Sequence, residues 1–401
     1  MIFYDVKKKL LFSFFCVIML TELEMNYSAF VVKYKDLPKK LAGCRADYFA
    51  PTQEHAFYNK GTMAQPSSEN IAIVNAQSFN VAFHEYRILH PEMAEDEAKA
   101  RVVFDFLQKN GSKLSYEKNE QDVLFESGSY KVTRKDFYAN VIYADSQQNT
   151  NYFSRHIGDM QIITLPEMPI GKMPRNIEGL SPAVCDKIKQ IAPETLQEIF
   201  LKRGLYHETV HAAMGTSDER KCDAFALLKV MKEHPFEAQE IFAIYNQARS
   251  KIGYVVDAIH QRRGNNQELK NQVRIGTMTY LMPQTYGYLK EFALHPEKIP
   301  NRDEDMLKLT YDLTSRPDFA AEDLTSFMKL MQKDSISTEE LSKSKVVQAC
   351  MKQGGFKDIG SYIACDKKLS QFMAKYGIQS PNLTSESQVS SVVNNSSFER
   401  E

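Results

Sequence analysis

The sequence predicts an α+β protein whose strands fall in its first half and whose second half is almost wholly helical. Three observations carry this. Short β-branched and aromatic runs, punctuated by Gly, Ser and Pro, lie between Ser68 and Pro166; Pro193–Met214 keeps a helical spacing of apolar residues; and beyond Glu233 the apolar stretches repeat at helical intervals. With 401 residues the chain can bury a sizeable core divided among several subdomains. A net charge of −1 with 25% charged residues lacks the basic excess of a nucleic-acid binder and argues against that class.

Residues 1–29 combine Lys7–Lys9 with the apolar run Leu10–Leu20, a pattern expected of a secretory signal peptide or an N-terminal anchor. The run is shorter than the ~20 apolar residues a membrane span needs, so no membrane role beyond a possible anchor is expected, and the protein is read as exported, periplasmic or secreted. Of six cysteines, Cys16 falls in this segment. The five left, an odd and scattered set, form no disulfide framework, although Cys350 and Cys365 are near enough in sequence to pair in an oxidising compartment.

Residues 30–166 are expected to form a mixed subdomain. Ile71–Val74 is read as a strand, as is Val123–Phe125, which turns at Ser127-Gly128 into Tyr130–Thr133; Phe137–Tyr143 and Met160–Leu165 are apolar and β-branched enough to be two more. Pro91–Lys109 has the spacing of an amphipathic helix, entered through a proline and stopped by Asn110-Gly111. Residues 167–235 hold two further helices, 236–379 a helical C-terminal subdomain, and 380–401 a Ser- and Asn-rich tail expected to be disordered.

The stretch that names a chemistry is Leu205–Val230. Its kernel, His207-Glu208-Thr209-Val210-His211, is an HExxH pattern: residues four apart share a helix face, about 5–6 Å apart at Cβ, so two imidazoles can converge on one zinc ion. Glu208 between them is placed to act as a general base on water. Pro193 opens this helix and Gly215 ends it.

A catalytic zinc site takes three protein ligands and keeps one position open. On a second helix read over Thr216–Val230, Glu219 and Asp223 lie one turn apart on the same side as Ala226, Leu227 and Val230. Carboxylates on a core-facing stripe are costly unless paired or coordinating. Glu219 is therefore the expected third ligand, and Asp223 the acceptor that orients a ligand histidine from behind. Three alternatives stand beside this. Asp223 or Asp218 could ligate instead, and Thr216-x-x-Glu219 also has the form of a capping box, which would occupy the Glu219 side chain.

HETVH followed by Glu219-Arg220-Lys221-Cys222-Asp223 resembles the gluzincin branch of the HExxH zincin metallopeptidases, over roughly 25 residues. The resemblance implies a zincin-like fold, with a small mixed sheet beside the active-site helix and Met160–Leu165 as a candidate substrate-side strand, the alternative being an interior strand with no ligand role. It also implies a peptide or protein substrate cleaved with His207, His211 and Glu219 holding Zn²⁺ and Glu208 as base. An exported zinc-binding or helical interaction protein without peptidase activity is the alternative.

Overall fold

A computed structural model describes residues 36–43, 71–127, 129–147, 153–157, 160–165, 180–216, 218–261, 280–333 and 335–375. The expected export segment 1–29 and the tail 380–401 lie outside the described residues. Contacts divide the chain into two units. The first comprises Met1–Pro174, Gln190–Ile241 and Glu291–Ser315; the second comprises Arg175–Lys189, Phe242–Lys290 and Arg316–Glu401. The stretch 236–379 is mainly helical among its described residues, as expected, but divides between the two units.

In the first unit helix α1 is Leu37–Gly43, and strand β1 (Ile71–Asn75) leads straight into α2 (Ala76–Leu89) and α3 (Glu95–Lys109). The α3 helix begins four residues after Pro91, where Glu95, Asp96 and Glu97 place negative charge against the positive end of the helix dipole. Asn110 caps its end, and Gly111 turns the chain at φ 100°. Strands β2 (Val123–Ser127) and β3 (Tyr130–Thr133) form the expected antiparallel hairpin.

The expected strand over Phe137–Tyr143 is a helix instead. Thr133 and Asp136 close a reciprocal capping box, which commits Arg134–Phe137 to helix, and the segment runs on through Tyr138–Ile142 and Tyr143–Ser146. Tyr138, Ala139, Ile142 and Tyr143 are buried. That spacing is helical, and packing against Phe79 and Phe104 rewards it over β propensity.

Strands β4 (Phe153–Ile157) and β5 (Met160–Leu165) complete a three-stranded sheet in the order β1-β5-β4. The β1–β5 pair is parallel, with Ile73 opposite Ile163, and the helices between them supply the crossover a parallel pair requires. The β4–β5 pair is antiparallel. Every residue of β5 is buried, and Met160 and Ile162 enter a core with Phe79, Val103, Phe104 and Leu107. Helix α4 (Pro193–Met214) packs on β4 and β5. The sheet thus lies beside the HExxH helix, as expected. Of the two readings of Met160–Leu165 the interior strand holds and the substrate-side strand is corrected: β5 is the central strand, hydrogen-bonded on both sides, and has no edge to offer a peptide.

Helix α5 (Glu219–Glu233) returns along α4, and α6 (Asp303–Thr314) packs on α5. Lys40 of α1 and Lys229 of α5 meet on Asp303 of α6, at 3.0 and 2.6 Å. Tyr206 donates to Glu233 at 2.8 Å, and Glu233 also pairs with the buried Lys202 at 2.9 Å.

The second unit is built from helices around a core that includes Ile252, Val256, Phe327, Val347, Tyr362 and Leu369. Asp366 accepts from the backbone N–H of Gly253 at 2.7 Å and of Leu369 at 3.1 Å, tying Gly253–Gln261 to Lys367–Lys375. A Cβ on Gly253 would stand 2.3 Å from Asp366 Oδ1, so that close approach needs glycine. Cys350 and Cys365 are free thiols. Among the described residues no helix is long and apolar enough to cross a membrane.

Candidate metal centre

The α4 helix spans the predicted residues, with Pro193 in its first turn, and Gly215 ends it in the left-handed region at φ 60°, ψ 34°. The turn into α5 is therefore only residues 215–218, and the two helices pair antiparallel. His211 and His207 face Glu219, and one turn further along Arg203 and His207 face Asp223.

Asp218, not Thr216, caps α5. Its Oδ1 accepts from the Arg220 backbone N–H at 3.1 Å and from Arg220 Nε at 2.9 Å, while Oδ2 accepts from Nη2 at 2.7 Å. Thr216 Oγ1 instead accepts from the Asp218 N–H at 3.1 Å. The capping box that would have occupied Glu219 is absent, because Glu219 is the first helical residue rather than the third. Asp218 is likewise corrected as a ligand candidate: both its oxygens serve the buried Arg220.

Three groups converge. His207 Nε2 is 3.1 Å from His211 Nε2 and 3.2 Å from Glu219 Oε2, and His211 Nε2 is 3.4 Å from Glu219 Oε1. His207 and Glu219 are buried and His211 is partly so. Each imidazole meets a different oxygen of the Glu219 carboxylate, and with one ligand atom taken from each residue all three lie within 4.8 Å of one another. Ligand atoms about 2.0–2.2 Å from a tetrahedral ion stand roughly 3.3–3.6 Å apart, so a small closing of the carboxylate brings the set to a metal's dimensions. The cluster His207, His211, Glu219 could thus hold a metal ion.

A polar group stands behind each imidazole. His211 Nδ1 donates to the Thr216 carbonyl at 2.7 Å. Because a carbonyl only accepts, this contact puts the proton on Nδ1 and leaves Nε2 for a ligand role in the neutral ring. His207 Nδ1 makes no aligned hydrogen bond but lies 2.7 Å from Asp223 Oδ1. That is the side on which Asp223 was expected to act, and Asp223 is not among the three converging groups.

Burial alone would raise the Glu219 carboxyl, yet the imidazoles of His211 and His207 outweigh it and hold the acid well below its usual range. Burial works the other way on His211, where Cys222 and the Glu219 carboxylate prevail and raise the imidazole well above its ordinary value. Cys222 lies against His211, but its thiol is pushed up to about 12 by burial and it too is outside the converging set.

Sequence reasoning missed three contributors. Arg203, ion-paired to Asp223, continues the His207/His211 stripe one turn toward the helix start, and that i, i+4 spacing was a usable signal. The Thr216 carbonyl gives none, since any residue could supply it. Cys222 gives no signal either, since only the packed structure brings it to His211.

Comparison of the chain with protein-family models, with curated proteins and with solved structures finds no match.

Proposed function

We propose that the protein is an exported zinc metallopeptidase that hydrolyses peptide bonds. The observation that carries this reading is the convergence of His207 Nε2, His211 Nε2 and the Glu219 carboxylate at 3.1–3.4 Å, three ligands rather than the four of a closed structural site. The donor set of two imidazoles and a carboxylate suits zinc. When bound, zinc polarises a substrate carbonyl and lowers the pKa of water toward about 7.

The chain's own residues supply the rest. Glu208 is half-buried on α4 and lies roughly 60–100° around the helix from the ligand histidines, beside the cluster rather than in it. Its carboxylate takes the proton of the attacking water and later delivers it to the leaving amine. Asp223 and the Thr216 carbonyl hold the two imidazoles with Nε2 inward. A peptide backbone is matched by the edge of β4 that has no partner strand among the described residues; β4 packs against α4 and pairs with β5 on its other side.

Glu208→Gln separates binding from chemistry. The variant should keep wild-type zinc content and lose at least 100-fold of its hydrolysis of a fluorogenic peptide library, in line with the contribution of a general base. Full activity in that variant would remove the mechanism.

A further inference from the structure

Asp223 is fully buried, and a carboxylate in that position needs a full compensating charge. A neutral imidazole does not provide one. The residue that does is Arg203, whose Nη2 pairs with the same Oδ1 that lies 2.7 Å from His207 Nδ1. The spacing repeats along the helix pair. Arg203, His207 and His211 follow one another at four-residue steps on α4, and Asp223 and Glu219 at one four-residue step on α5. Arg203 and His207 therefore bracket Asp223 as His207 and His211 bracket Glu219.

We propose that Arg203 is a positioning residue of the metal centre, fixing the Asp223 carboxylate against His207 Nδ1 so that His207 presents Nε2 to the ion. The inference rests on the reading of His207, His211 and Glu219 as a zinc site. Three physical points favour it. Guanidinium presents donors in a rigid planar fork and stays charged, so it can fix a carboxylate's orientation as well as neutralise it. Arg203 stands one turn from His207 on the same helix, so both side chains reach the same Asp223 oxygen. And an imidazole held only by its own side-chain torsions would lose part of its pre-organisation.

The experiment measures zinc affinity of the full-length apoprotein by chelator competition, and the visible absorption of its Co²⁺ form, for wild type, Arg203→Met, Asp223→Asn and the double variant. Arg203→Met should bind zinc about 10- to 100-fold more weakly, the range typical of groups behind a metal ligand, and should shift the Co²⁺ spectrum. Because Arg203 acts through Asp223, the double variant should be no weaker than Asp223→Asn alone. Arg203→Lys, which keeps the charge without the fork, should recover part of the affinity, and it replaces Arg203→Met in the cycle if the latter does not fold. Wild-type affinity and spectrum in Arg203→Met, even with a lowered melting temperature, would make the arginine merely structural and overturn the proposal. Losses that multiply in the double variant would also overturn it. Failure of the wild type to bind zinc is a separate result: it would remove the metal site itself, and the role of Arg203 with it.

Discussion

His211 Nδ1 donates to the Thr216 carbonyl at 2.7 Å, across the turn that ends α4. The turn is thus part of the site's geometry as well as the link between helices. It depends on Gly215 in a left-handed conformation that a side chain disfavours by about 1–2 kcal/mol. Gly215→Ala should lower stability by roughly that amount and weaken zinc binding, whereas Gly215→Asn, better tolerated in that region, should do less of both. Urea titration and chelator competition on the two variants check the order.

Glu219 and its neighbour Asp218 should separate cleanly. Asp218→Ala removes a helix cap worth about 1–2 kcal/mol and strands the buried Arg220, but it should leave zinc stoichiometry intact. Glu219→Ala should lose the metal. Elemental analysis of both proteins decides; zinc lost from Asp218→Ala and retained in Glu219→Ala would invert the ligand assignment.

Asp303 carries a pH prediction. Burial raises its carboxyl, but Lys229 and Lys40 more than offset this and hold it below the usual carboxylate range. A depressed folded-state pKa contributes stability that is present above the unfolded value of about 3.9 and is lost as pH falls through the folded value. Asp303→Asn should therefore be less stable than wild type at pH 7, with the gap closing in acid. Denaturant titrations at pH 7 and pH 3 measure it, and a gap of equal size at both would show that the ion pairs are not its source.

Much of the fold could be read from the sequence where pattern and packing agree. Pro193–Met214 has a proline at its start, a glycine at its end and a repeating apolar face, and α4 has those bounds. Met160–Leu165 is a run of apolar and β-branched residues broken only by Gln161, as suits a strand buried on both faces. That same burial explains why its expected substrate role fails, since a strand covered on both faces and both edges has nothing left to pair with. Phe137–Tyr143 misled because its composition is that of a strand while its burial follows a helical period, a choice made locally by Thr133 and Asp136. The helix Ala76–Leu89 follows β1 with no breaking residue between them, and the strand Phe153–Ile157 has little alternation of its own; pairing with β5 defines it.

In the site, the ligand candidates were legible because a metal imposes a spacing on its own helix, i and i+4 on α4 and a matching acid on α5. What lies behind them was only partly so. Asp223 was found by the same one-turn step, but the Thr216 carbonyl and the contact of Arg203 with Asp223 depend on how closely α5 packs back on α4.

The most direct measurement is zinc content by elemental analysis of the wild-type protein and of His211→Ala, both purified without chelators and equilibrated with equal zinc. About one zinc per chain in the wild type and essentially none in the variant is the expected result. Equal zinc in the two proteins would contradict a site built on His207, His211 and Glu219.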